Sequence, residues 1–140
     1  MINQLIIKGF KSFVDKSINF NLLNVLTGLN SSGKSTVIQA LQILNKYSRH
    51  FENPLIEGHG DYKELQNPFS SLPFSINAKY GEHGIICYSP QKENNIHTEE
   101  FPDLIVISAD RYGPLVSIPL LSDCELGSRG ENVIKCIRVH

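Results

Sequence analysis

No window of this 140-residue chain holds the run of about eighteen apolar residues that a membrane-spanning helix needs. The first residues alternate polar and apolar types, without a basic start and an apolar block. No secretory leader is therefore expected, and the default compartment is the cytoplasm. Cysteine is scarce: Cys87, Cys124 and Cys136 form an odd set with no CxxC pair, against both a disulfide framework and a zinc site. The histidines (His50, His59, His83, His97, His140) lack ligand spacing and read as surface residues. There is no internal repeat and no low-complexity tract. What remains is ordinary globular material, 41% apolar and 19% charged, of a length that suits one domain.

Acidic residues are missing from the N-terminal third in particular. Residues 1–50 carry Lys8, Lys11, Lys16, Lys34, Lys46 and Arg49 against Asp15 alone, a net of +5. The whole chain is at −1, so residues 51–140 hold the compensating −6. A positive lobe favours a polyanion such as a nucleotide phosphate, although solvated surface lysines are the plainer reading of charge alone.

Ile2 to Phe10 reads as a strand, and Lys11-Ser12 with Asp15-Lys16 as polar turn residues. Ile18 and Phe20 alternate with polar neighbours, the period of a half-buried strand. Leu22 to Thr27 is a short apolar run ending at Gly28, which predicts a buried central strand. Val37, Leu41 and Leu44 then recur at helical spacing with Ile38 beside them, and Gln39, Gln42 and Lys46 are assigned to the opposite, polar face. Residues 50–75 read as loop. Phe74–Tyr80 and Ile85–Tyr88 read as strands joined by Gly81 to Gly84. Leu104 to Ile107 is a further buried-strand candidate, and Glu131 to Arg138 has helical spacing.

Between the predicted strand and helix lies Gly28-Leu29-Asn30-Ser31-Ser32-Gly33-Lys34-Ser35, which fits GxxxxGK[ST], with Thr36 following. Chance alone would place this pattern in a chain of this length roughly half a percent of the time. A strand before it and a helix after it are the context of a phosphate-binding P-loop. Gly28 and Gly33 permit backbone angles and close approach that a Cβ forbids. Loop and helix N–H groups converge on phosphate oxygens, and the helix dipole adds positive potential. Lys34 is expected to bridge the β- and γ-phosphates, Ser35 to offer its hydroxyl to Mg²⁺, and Thr36 to sit near the α-phosphate.

The residues around this motif carry a resemblance. Leu5-Ile6-Ile7-Lys8-Gly9-Phe10-Lys11-Ser12-Phe13, followed by Asn24-Val25-Leu26-Thr27-Gly28-Leu29-Asn30-Ser31-Ser32-Gly33-Lys34-Ser35-Thr36, resembles the opening of SMC, RecF and OLD-type ATPases. Asn30 is typical of that branch. Ile107 to Pro114 and Gly127 to Asn132 resemble, more weakly, segments of bacterial AAA-type ATPases, several of which occur in phage-defence and retron systems. The resemblance implies an ABC-type ATPase head that binds ATP and Mg²⁺ and works as a head-to-head homodimer with nucleotides between the heads. DNA contact is implied by the family alone, since no basic stripe interleaved with aromatics marks the sequence.

An ABC-type head also carries a signature serine-glycine motif, an Asp-Glu Walker B strand and a switch histidine, and none of these is visible here. Leu104 to Asp110 imitates a Walker B, but Ser108-Ala109 intervene and Arg111 stands where the Glu should be. Arg111 is instead a candidate for phosphate or partner contact, or a turn partner of Asp110. Gln66 is the available glutamine for the Mg²⁺-binding position after the first helix. Lys11 and Ser12 are candidates to reach the nucleotide. The catalytic base is unassigned.

The expected fold is α/β: a P-loop NTPase head of the ABC type, its N-terminal portion, incomplete, with an antiparallel β-subdomain. Strands, P-loop and first helix are assigned to residues 1–50, loop and hairpin to 51–100, and a strand with the start of a helix to 101–140. The expected function is Mg-ATP binding within an ATPase that the complete chain would form. A non-hydrolysing, nucleotide-gated binding module and an inactive truncated remnant are the alternatives.

Overall fold

A computed structural model describes residues 1–29, 32–49, 53–56, 58–91 and 95–107. The chain divides into two units, Met1–Asp103 and Leu104–His140. In the first, the strands are β1 (Ile2–Phe10), β2 (Phe13–Asn19), β3 (Ser75–Tyr80), β4 (Gly84–Tyr88) and β5 (Ile96–His97). The helices are α1 (Lys34–Ser48) and the single turn α2 (Tyr62–Leu65).

The strands form one antiparallel sheet in the order β2-β1-β3-β4-β5. Its register explains its core. Leu5 pairs with Ile18 on one side and Ala78 on the other, and Ala78 pairs with Ile86. The next inward row is Ile7, Ile76 and Tyr88. Alternation of period two puts all of these on one face, where α1 covers β3 and β4. Val37, Ala40, Ile43 and Leu44 supply the helix side of the core, and Phe10 packs on Phe74 at 5.1 Å between ring centroids. The Cys87 thiol is half-buried, and burial pushes its pKa up, so it stays a protonated, weakly polar side chain.

Two expectations from the apolar pattern are corrected. Leu22 to Thr27 forms no strand: Leu22 is 95%, Leu23 82% and Val25 75% exposed. Asn21 N–H donates to Asn24 Oδ1 (3.0 Å), and Asn24 Nδ2 donates back to the Asn21 carbonyl (2.8 Å). These side-chain bonds imitate a backbone turn and compete with extension. A run that is apolar on both faces is buried only when other layers cover both faces, and none of the described elements does so here. In the second unit, Leu104 to Ile107 is also outside any described strand, with Ile105 and Ile107 exposed. Among the described residues it has no ladder partner.

The helix also differs from its predicted wheel. Gln39, assigned to the polar face, is buried with Thr36, Val37, Ala40, Ile43 and Leu44. Ile38 faces solvent. The predicted terminal helix, Cys124, Cys136, His50 and His140 lie outside the described residues.

Candidate phosphate-binding site

Helix α1 starts without the usual polar cap. Its N-cap is Gly33 in the left-handed region (φ 93°, ψ 4°), no side chain bonds to the first-turn amides, and the first turn holds no acid. The positive end of the helix is therefore neither capped nor neutralised from within. Gly33 is glycine for a second reason. A Cβ there would stand 2.5 Å from Phe13 Cζ and 3.2 Å from Ser12 Oγ, so the β1–β2 turn lies directly against the start of α1. Gly28 repeats this at the other end of the loop: at φ 146°, a Cβ would stand 2.7 Å from Ser32 Oγ.

The loop closes on itself through Lys34. Its ammonium donates to the Gly28 carbonyl (2.8 Å), the Leu29 carbonyl (2.6 Å) and Ser32 Oγ (3.3 Å). All three ammonium protons are thus used within the segment that carries the motif. Ser32 N–H donates to the Leu29 carbonyl (3.2 Å), tightening the same turn. Ser35 presents an exposed side chain one residue on, and Thr36 is buried against the core. Asn30 and Ser31 lie outside the described residues.

Of the six basic residues in the N-terminal third, Lys8 meets Asp15 at 3.9 Å and Arg49 meets Asp103 at 2.6 Å, both exposed pairs. Lys46 donates to the Leu55 carbonyl. The Lys34 ammonium bonds to the loop that precedes α1, and the Lys11 ammonium to Gln39 within the helix.

Gln66 is engaged elsewhere. Its Nε2 donates to the Leu72 carbonyl (2.6 Å) and the Ser70 carbonyl (3.3 Å), and its Oε1 accepts from Phe74 N–H (2.9 Å). The whole carboxamide therefore fastens the turn that enters β3. Asp110 and Arg111 lie outside the described residues.

The structure joins Gln39 and His59 to the candidate Lys11. Lys11, at φ 51°, is held by its own backbone: its N–H donates to the Leu65 carbonyl (2.7 Å) and its carbonyl accepts from Asn67 Nδ2 (2.6 Å). Its ammonium donates to Gln39 Oε1 at 2.6 Å, and Gln39 Nε2 lies 2.7 Å from His59 Nδ1. The Asn67-Pro68 pair was the one sequence signal for this corner, since Asn-Pro marks a turn. Nothing in the sequence links Lys11 with Gln39, which are joined only by the fold.

The profile of the AAA ATPase domain matches residues 1–115, from β1 past the last described strand. The chain belongs to the AAA ATPase domain family. Membership places it in the P-loop NTPase class, while the sheet described here is wholly antiparallel. The chain is also similar to the DNA replication and repair protein RecF of Oenococcus oeni (strain ATCC BAA-331 / PSU-1), 29% identical over 83 residues. That match covers 54% of this chain and 22% of the RecF protein. The AAA ATPase match runs across the loop, α1 and the turn that presses on Gly33. No described helix is long and apolar enough to cross a membrane.

Proposed function

We propose that residues Gly28 to Thr36 bind the phosphates of Mg-ATP, and that this chain is the nucleotide-binding N-terminal part of an ABC-type ATPase head. The observation that carries the reading is the start of α1: a left-handed glycine cap, no internal acid, and a lysine one residue on. The residues suit a phosphate. First-turn amides without a side-chain cap supply donors, and the two glycines leave the backbone open to close approach.

Lys34 exchanges its bonds to the Gly28 and Leu29 carbonyls for phosphate oxygens at the β- and γ-positions. Ser35, exposed at the helix start, is the Mg²⁺ ligand, and Thr36 lies toward the α-phosphate. Bound Mg²⁺ would neutralise charge on the phosphate oxygens. We assign Gln66 a structural role, because magnesium ligation would compete with its bond from Phe74. Ser12 approaches the same site from the β1–β2 turn, and the Lys11 ammonium rests at Gln39, one turn further along α1. Hydrolysis of ATP to ADP and phosphate, a head-to-head homodimer, DNA association of the kind the RecF name carries, a role in repair or phage defence, and a cytoplasmic location belong to this proposal for the whole protein.

The test is a titration with a fluorescent ATP analogue and Mg²⁺, run beside a phosphate-release assay. Saturable binding lost in Lys34→Ala supports the reading, and phosphate release lost with it makes the chain an ATPase. Binding without release makes it a nucleotide-gated module. No binding by folded protein refutes the site.

A further inference from the structure

Gln39 is only 9% exposed, in the middle of a helix, and both faces of its carboxamide are taken. A lysine ammonium has donors and no acceptor, so the atom facing Lys11 at 2.6 Å has to be the amide oxygen. The other face is then NH₂, which only donates. His59 Nδ1, 2.7 Å away, therefore accepts, and the imidazole carries its proton on Nε2. The contact to Lys11 thus fixes the tautomer of a ring on a separate loop. Equally, that tautomer fixes which way round Gln39 stands.

The three side chains come from three segments: the β1–β2 turn, α1 and the loop at Gly58–Gly60. Lys11 cannot swing from its root, because its backbone is clamped by Leu65 and Asn67 in a left-handed conformation. Gln39 stands three residues after Thr36 and four after Ser35, so it lies on their side of the helix, one turn on. Its oxygen decides where along α1 the Lys11 ammonium rests.

We propose that Gln39, oriented by His59, is a positioning residue that holds the Lys11 ammonium one helical turn along α1 from its phosphate-binding start. This rests on the nucleotide reading above. Gln39 touches no phosphate; it acts through Lys11. Losing the amide oxygen therefore has the same consequence for nucleotide binding as losing the ammonium.

The experiment has two arms. Long-range ¹H–¹⁵N correlation of the wild-type imidazoles reads the His59 tautomer without any nucleotide. Mg-ATP affinity is measured for wild type, Lys11→Met, Gln39→Met, the double variant and Gln39→Glu. The expected result is an Nε2–H tautomer at His59. Each single Met variant loses about tenfold in affinity, the size of one charge-assisted contact, and the double variant loses no more than a single one. Gln39→Glu, which keeps an oxygen toward Lys11, recovers affinity. An Nδ1–H tautomer, losses that multiply, or wild-type affinity in Gln39→Met with a weakened Lys11→Met would each overturn the positioning role. If wild type itself binds no Mg-ATP, the nucleotide reading falls and the positioning role with it. Should Gln39→Met fail to fold, Gln39→Glu and the tautomer decide.

Discussion

The sheet and the segment that follows it use the same kinds of side chain and reach opposite outcomes. Leu5, Ile7 and Ile76 sit at period-two positions of paired strands and are fully buried, with Ile6 between the first two only partly so; Leu22, Leu23 and Val25 stand nearly together and face solvent. Alternation needs only one covering layer, and the antiparallel partners of β1 within this chain place its apolar side chains under α1. A continuous run needs cover on both faces, and hydrophobicity alone does not provide it. The Asn21–Asn24 bonds then decide the local geometry.

The difference can be broken or sharpened by substitution. The largest effect is expected at Ile76→Ala, which should lower unfolding free energy by about 2–5 kcal/mol in urea titrations. Leu22→Ala and Leu23→Ala should stay within about 0.5 kcal/mol. Equal losses at Leu22 and Ile76 would mean that the 22–27 segment is buried in solution.

Lys34→Ala comes next. It should weaken Mg-ATP binding by about 1.5–3 kcal/mol, the range for a hydrogen bond to a charged group, with a small change in melting temperature. A large stability loss with intact binding would make Lys34 a structural staple of its loop.

Gly33→Ala should cost about 1–2 kcal/mol from the left-handed backbone alone, with added strain from the Phe13 ring. Thermal unfolding of Gly33→Ala beside Phe13→Ala/Gly33→Ala separates the two, since only the ring contact is relieved in the double variant. Equal stability of wild type and Gly33→Ala would contradict the packed turn.

The smallest effect concerns alkaline pH. Burial, and then the bond to the Tyr62 hydroxyl, push the Tyr88 phenol well above its ordinary value. A group whose folded pKa is raised gives its full stabilisation below the unfolded pKa, near 10, and loses it as pH rises beyond. Stability should therefore fall above about pH 10, less steeply in Tyr88→Phe. Identical alkaline slopes would remove Tyr88 from that account.

Much of this was readable from residue order, for physical reasons that also mark where reading stops. β1 follows from its Leu5-Ile6-Ile7 run, the β3–β4 hairpin from its two apolar segments and the Gly81 to Gly84 turn, and α1 from its 3.6-residue period, whereas β2 was readable only near Ile18, since Asp15-Lys16, read as turn residues, lie within the strand. The left-handed cap at Gly33 follows from the motif. The burial of Gln39 does not, because a helical wheel cannot know that Lys11 arrives from another segment. Nor does the engagement of Gln66, whose partners Ser70, Leu72 and Phe74 are set by the turn into β3. Long-range polar contacts leave no period in a sequence.

The central claim is that the start of α1 takes up phosphate. Amide ¹H–¹⁵N spectra of uniformly labelled protein, recorded while Mg-ATP is added, read this directly at Gly33, Lys34, Ser35 and Thr36. The account predicts large, saturable shifts confined to these amides and the β1–β2 turn, and their absence in Lys34→Ala. Unmoved amides at millimolar Mg-ATP, in a spectrum that is otherwise folded, would contradict it.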